Sequence, residues 1–177
     1  MKIIFKYIII FLGVCFSHPD VSESGSSYKG KTTSILRISI DSDGSYNNEK
    51  VSSGVGFGFD KILYKQDNIW SGIGFENLFA RDLKDKSIQD IKFDSIYFFF
   101  RFMYEKKWAS YLRIGYNILD KDIDQFNSSG LMWSFGVDYK LSHSWHIESG
   151  YHVFSTENID YSRIVVSLSR HFKNLND

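Results

Sequence analysis

Bulky apolar residues alternate with small or polar ones through segment 131–141: Leu131, Trp133, Phe135, Val137, Tyr139 and Leu141 share one parity, and Met132, Ser134, Gly136, Asp138 and Lys140 share the other. A period of two is the strand period, because successive side chains of a strand point to opposite faces. The pattern recurs along the chain. Leu36, Ile38 and Ile40 oppose Arg37 and Ser39; Val51, Val55, Phe57 and Phe59 oppose Gly54, Gly56, Gly58 and Asp60; Ile69, Ile73, Phe75 and Phe79 oppose Trp70, Gly72, Gly74 and Glu76. A fourth strand sets Ile96, Phe98, Phe100 and Phe102 against Ser95, Tyr97, Phe99 and Arg101. A fifth sets Leu112, Ile114, Tyr116 and Ile118 against Tyr111, Arg113, Gly115 and Asn117. Segment 131–141 is the sixth. Two more place Trp145, Ile147, Tyr151 and Val153 opposite His146, Glu148, Gly150 and His152, and Ile164, Val166, Leu168 and Phe172 opposite Val165, Ser167, Ser169 and His171.

About eight strands result, each near the length that a tilted membrane strand needs. The predicted fold is all-β, a closed antiparallel up-and-down transmembrane β-barrel. Longer polar loops are expected at 41–50, 81–92 and 120–129, with a shorter one near 156–158, and tight turns at 66–68, 105–107 and 142–144. Loops long at one end and short at the other are the mark of an outer-membrane barrel.

The same alternation would also suit a soluble, lipocalin-like periplasmic barrel with its bulky face inward. Volume decides against it: an eight-stranded barrel is only wide enough to be filled by side chains or to hold one small ligand. Four or five large residues from every strand would overfill it, whereas the Gly- and Ser-rich set fits. A one-residue slip of all strands would carry Arg37, Arg101 and Arg113 into lipid at roughly 2 to 4 kcal/mol each near the midplane. Even about 6 kcal/mol in total is comparable to the whole stability of a small domain. Arg37, Arg101 and Arg113 are therefore expected to share the lumen with Glu76, Asp138 and Glu148 as a hydrogen-bonded ionic network that plugs the barrel.

The N-terminus points to export. A short basic start, a hydrophobic run over 7–16 and Cys15-Phe16-Ser17 as a cleavage site have the layout of a secretory signal over 1–17. Residues 18–30 are small and polar and read as a flexible segment, 31–172 as the barrel, and 173–177 as a short tail. Lipidation of Cys15 is the alternative, but Val14 puts a branched residue where a small one is preferred. Cleavage would remove the only cysteine and with it all thiol chemistry. No later apolar run is long enough for a spanning helix, so any membrane span is built of strands. Aromatics make up 18% of the chain and its single proline, Pro19, lies outside every expected strand, which suits a mostly β chain. Basic and acidic residues balance at 21 each, so no net field favours a nucleic-acid partner.

The pattern over about Lys31 to Phe172 resembles the small outer-membrane β-barrels of the OmpA transmembrane domain and OmpX type. Its most specific part is the last strand, where Ile164, Val166, Leu168 and Phe172 look like that family's C-terminal assembly signal. The chain departs from the family at Arg170, where an aromatic is usual, and in continuing past Phe172. The resemblance implies an outer-membrane location and a role in envelope integrity or surface interaction. The implied partners are outer-membrane lipid, lipopolysaccharide and the assembly machinery, with the protein a monomer that needs no cofactor.

Other candidate chemistry is weaker. Residues 151–158 resemble the His and Ser of outer-membrane lipid A deacylases, with His152 as base, Ser155 as nucleophile and Glu157 as acid. Those enzymes place His and Ser two apart on one face, whereas His152 and Ser155 are three apart and face opposite ways without a bulge. A lumen histidine beside a loop serine is the plainer reading, and no catalysis is expected. The carboxylates of 41–44 and 120–124 lack calcium-loop spacing and read as solvated loop groups. Trp108, Trp133, Trp145, Tyr104 and Tyr116 suit an interface girdle.

Overall fold

The computed structural model describes residues 32–42, 44–46, 49–83, 86–104, 107–119, 129–155 and 160–173. The expected signal at 1–17, the segment 18–30, the tail beyond 173, the carboxylates of 120–124 and Glu157 lie outside the described residues.

Ten strands are formed by the described residues: β1 (Thr32–Asp41), β2 (Gly44–Tyr46), β3 (Glu49–Val51), β4 (Gly54–Gln66), β5 (Ile69–Leu83), β6 (Lys86–Met103), β7 (Trp108–Leu119), β8 (Gly130–Lys140), β9 (Trp145–Ser155) and β10 (Asp160–Lys173). The eight long ones pair antiparallel with their neighbours in sequence. The ring closes where β1 meets β10, from Thr32 opposite Lys173 to Asp41 opposite Val165. Closure removes both sheet edges, and with them the unpaired backbone groups that lipid cannot solvate. At 67–68 the chain reverses in two residues, with Asp67 at φ 45°, a region that aspartate tolerates.

The alternation sets which face meets what. Phe98 is 65% exposed between Tyr97 and Phe99, each 1% exposed. Aromatic residues thus stand on both sides of β6, one set outside and one set packed in the lumen. The outer set forms a belt from strand to strand, with Ile73, Phe98, Ile114 and Trp133 in one cross-strand row. Glycines on the inner face make room for the lumen side chains. A Cβ at Gly74 would run into Asp60 and the Tyr97 ring, and one at Gly136 would lie 2.6 Å from the Tyr111 hydroxyl. This is the packed barrel with its bulky face outward, not the soluble barrel with the faces reversed.

Three local expectations are corrected. Segment 81–92 is not a loop: β5 runs to Leu83 and β6 starts at Lys86, with register irregularities between Leu78 and Arg81 and between Asp82 and Leu83. Beyond the apolar belt neither face need be apolar, so a charged hairpin keeps its ladder without any hydrophobic alternation to reveal it. The loop predicted at 41–50 begins inside the barrel wall at Asp41 and continues as β2 and β3. There β2 replaces β1 as the neighbour of β10, with Tyr46 opposite Tyr161, and β3 reaches β5 through Val51 opposite Leu83. Val51, expected outside with Val55, is fully buried, because the ladder breaks at Ser52 and Ser53 and the parity is reset there.

Replacing Phe98 by Arg should cost about 2–4 kcal/mol of stability in lipid vesicles, and Leu141→Arg, beside the 142–144 turn, only about 0–1. Urea titration of the heat-shiftable gel band reads both; equal costs would contradict the assigned belt.

Candidate functional site: the packed lumen

The lumen is built from one parity of eight strands, so every large polar side chain in it is held by a rigid ladder. Among the described residues, four arginines and five carboxylates are buried there: Arg37, Arg101, Arg113 and Arg163 with Asp41, Asp60, Glu76, Asp138 and Glu148. Charges withdrawn from water persist only when paired and hydrogen-bonded, and here they are.

Glu148 on β9 is the hub of the central cluster. Its Oε1 accepts from Arg101 Nη2 at 2.7 Å and its Oε2 from Arg113 Nη2 at 2.5 Å. Arg101 also donates to Asp138 through Nη1. Arg37 donates to Asp60 and to the Tyr97 hydroxyl, and that hydroxyl donates in turn to Asp60 Oδ1 at 2.8 Å. The two halves lean on each other through Arg37 Nε, 4.0 Å from Glu148 Oε2, and Arg113 Nη2, 3.8 Å from Asp60 Oδ2. The Arg113 guanidinium lies over the Tyr111 ring, 4.0 Å from its centroid, a cation–π contact that a desolvated site strengthens.

A second cluster lies toward the loop end. Arg163 Nη2 donates to Glu76 Oε1 at 3.0 Å and Nη1 to Asp41, whose Oδ1 also takes the Gly54 amide at 2.6 Å. Above it Phe93, Phe154 and Tyr161 stack with centroids 5.1 to 5.8 Å apart, walled by Val51, Leu78 and Met132, all fully buried. At the turn end Trp70, Met103 and Ala109 close the opposite mouth beside His146 and His171. The charged column is therefore held between two apolar plugs.

Among the residues expected in a lumen network, the structure brings Arg101, Arg113, Asp138 and Glu148 together directly. Arg37 joins them mainly through Asp60, and Glu76 belongs to the second cluster. Asp60, Asp41 and Arg163 were missed, although each carries the inward parity of its strand. Asp41 had been assigned to a loop and Arg163 lies one residue before the strand start assigned from sequence.

The hydrolase reading finds no support in this geometry. His152 is inside, with Nδ1 3.4 Å from Glu76 Oε2, while Ser155 closes β9 on the other parity. Asp41 is engaged by Arg163 and Gly54, and so is no solvated loop ligand. Trp108 and Trp145 stand exposed beside the short turns, and Tyr116 in the loop-side half.

No protein-family model and no curated protein matches the chain. Solved structures do. Ail, the attachment invasion locus protein of Yersinia pestis, superposes with a TM-score of 0.58 at 11% identity, over 81% of this chain and 99% of that one. Neisserial surface protein A superposes at 0.53 and 13% identity, over 81% and 98%. The fold is that of the small outer-membrane β-barrels. A designed transmembrane barrel fits equally well, at 0.53 and 10% identity over 80% and 96%, so the likeness is one of architecture and carries no activity with it.

Replacing Glu148 by Ala should destabilise the barrel by about 3–5 kcal/mol, because it leaves Arg101 and Arg113 buried without their shared partner. Urea midpoints measure this, and a loss below about 1 kcal/mol, the range of exposed pairs, would mean that water reaches the cluster.

Proposed function

We propose that the protein is an integral outer-membrane barrel that serves as a closed, non-conducting scaffold, with a structural or surface-contact role in the envelope and no catalysis. The observation that carries this reading is the pairing of an apolar outer belt with a lumen filled by ion pairs and capped at both ends by aromatic side chains. Ions crossing such a lumen would have to displace Arg101, Arg113 and Glu148 from one another. In this reading the lipid-facing belt meets outer-membrane lipid and lipopolysaccharide, and the barrel works as a monomer exported by its N-terminal signal.

The strand that closes the ring also presents the proposed assembly signal. Ile164, Val166, Leu168 and Phe172 are 40–56% exposed on the lipid side of β10, where the assembly machinery would meet them before β1 pairs. Function would then reside in the connections at the loop end, as is usual for loops on a rigid frame. One structure of Ail holds the heparin analogue sucrose octasulfate. The loop-end segments here, with Asp120, Asp122 and Asp124 around Lys121, carry no basic surplus, so a polyanion is not the partner proposed.

The refolded mature chain should migrate faster in SDS before boiling than after, and should give no channel steps in planar bilayers. Sustained unitary conductance would overturn the closed scaffold. A soluble, detergent-free fold would overturn the membrane assignment. Lipid A acylation should be the same in cells with and without the gene; loss of an acyl chain that depends on His152 would restore the hydrolase reading.

A further inference from the structure

Three metal-ligating side chains converge at the turn end of the lumen. Asp138 on β8 gives Oδ2 to Arg101, and its Oδ1 lies 2.7 Å from His146 Nδ1 on β9. The His146 ring lies flat on that of His171 from β10, with centroids 3.7 Å apart and planes 7° from parallel. One donor atom from each of the three lies within 4.8 Å of the other two. All three residues are at most 5% exposed, and His171 Nε2 has no hydrogen-bond partner.

The sheet register explains why they meet. Lys140 is opposite His146, and His146 is opposite Ser169. Asp138 and His171 are thus each two residues along from the cross-strand partner of His146, on the same inward face. Diagonal neighbours of this kind lie within reach of long side chains, and the barrel wall holds them there.

From this arrangement we infer a binding site for one divalent transition-metal ion, with Zn2+ the fitting species and Asp138, His146 and His171 as its protein ligands. Two imidazoles and a carboxylate form a nitrogen-rich set that suits Zn2+ and does not suit Ca2+ or Mg2+, which require more oxygens. Arg101 keeps Oδ2 of Asp138, which leaves Oδ1 and the two rings for the ion; to ligate it the rings turn out of their stack so that each in-plane lone pair meets the metal, and the His146–Asp138 hydrogen bond gives way to it. Both imidazoles bind neutral, and the fourth position of a tetrahedral ion falls to water. Trp70, with its ring centroid 6.3 Å from that of His171, walls the site on the apolar side. The bound ion would tie β8, β9 and β10 together at the end where β10 closes on β1. The inference stands on these three strands and does not depend on the role proposed for the loops.

The test titrates the full mature chain, refolded in detergent and stripped with chelator, with Zn2+ in a calorimeter. One equivalent should bind; His171→Ala should weaken binding at least about tenfold, while the double variant His18→Ala, His143→Ala, which keeps the three lumen histidines, should bind as the parent does. The heat-shifted gel band reports whether each variant is folded. Histidine ring NMR of the unsubstituted protein gives a readout that needs no variant: the His146 and His171 signals should move on Zn2+ addition, and those of His152 should not. Absence of saturable binding at one equivalent, binding lost with His18 and His143 and kept without His171, or Zn2+ shifts confined to other histidines would each overturn the site.

Discussion

Glu148 and the arginines it holds are the interaction on which the interior depends. Its two oxygens take Arg101 from β6 and Arg113 from β7, while Arg37 from β1 approaches at 4.0 Å. Strands on opposite sides of the barrel are thereby joined across a lumen too narrow to admit bulk water between them. A pair of this kind does not by itself raise stability, because both charges must first be stripped of water. What it supplies is position. With Arg101 drawn to both Glu148 and Asp138, and Arg37 to Asp60 and Tyr97, a slipped register would leave several charges buried alone.

The rest of the architecture follows from having two solvents. The outer face meets hydrocarbon, and its belt is made mainly of bulky apolar side chains. The inner face is dry for lack of room, and so it must pair every charge it contains. Small residues do the fitting: Gly136 lies under the Tyr111 hydroxyl, and Gly74 beside Asp60 and Tyr97. The aromatic stack of Phe93, Phe154 and Tyr161 at one mouth and Trp70 at the other shield the ionic column from the water at each end. The lower local dielectric that results strengthens each ion pair and makes an unpaired group more costly.

Where the chain leaves the membrane these constraints lapse, and the wall continues under backbone hydrogen bonding alone. The charged hairpin joining β5 to β6 and the short β2–β3 pair that continues the lines of β1 and β4 are built this way.

Most of the barrel was legible in the chain because a half-buried strand writes its two environments into alternate positions, as Tyr97, Phe98 and Phe99 show. The outward orientation was legible too, since the bulky set could not fit inside eight strands. The pattern fails where the alternation stops: at 81–92, a run of charges of both signs with no apolar period to mark its strands, and at Ser52 and Ser53, where a break in the ladder turns Val51 inward. It is equally silent on partners. Parity places Arg163, Asp41, Asp60, His146 and His171 on the inner face but does not say which of them touch. Those contacts join residues up to 122 positions apart, Asp41 with Arg163 the furthest, and they arise only when the closing of β1 on β10 and the stagger between strands bring distant rows to one height. The chain by itself determined which side chains face lipid and which face the lumen, because that depends on local alternation alone. Only the tertiary structure decided which charges pair and which histidines stack, because that depends on register around a closed ring.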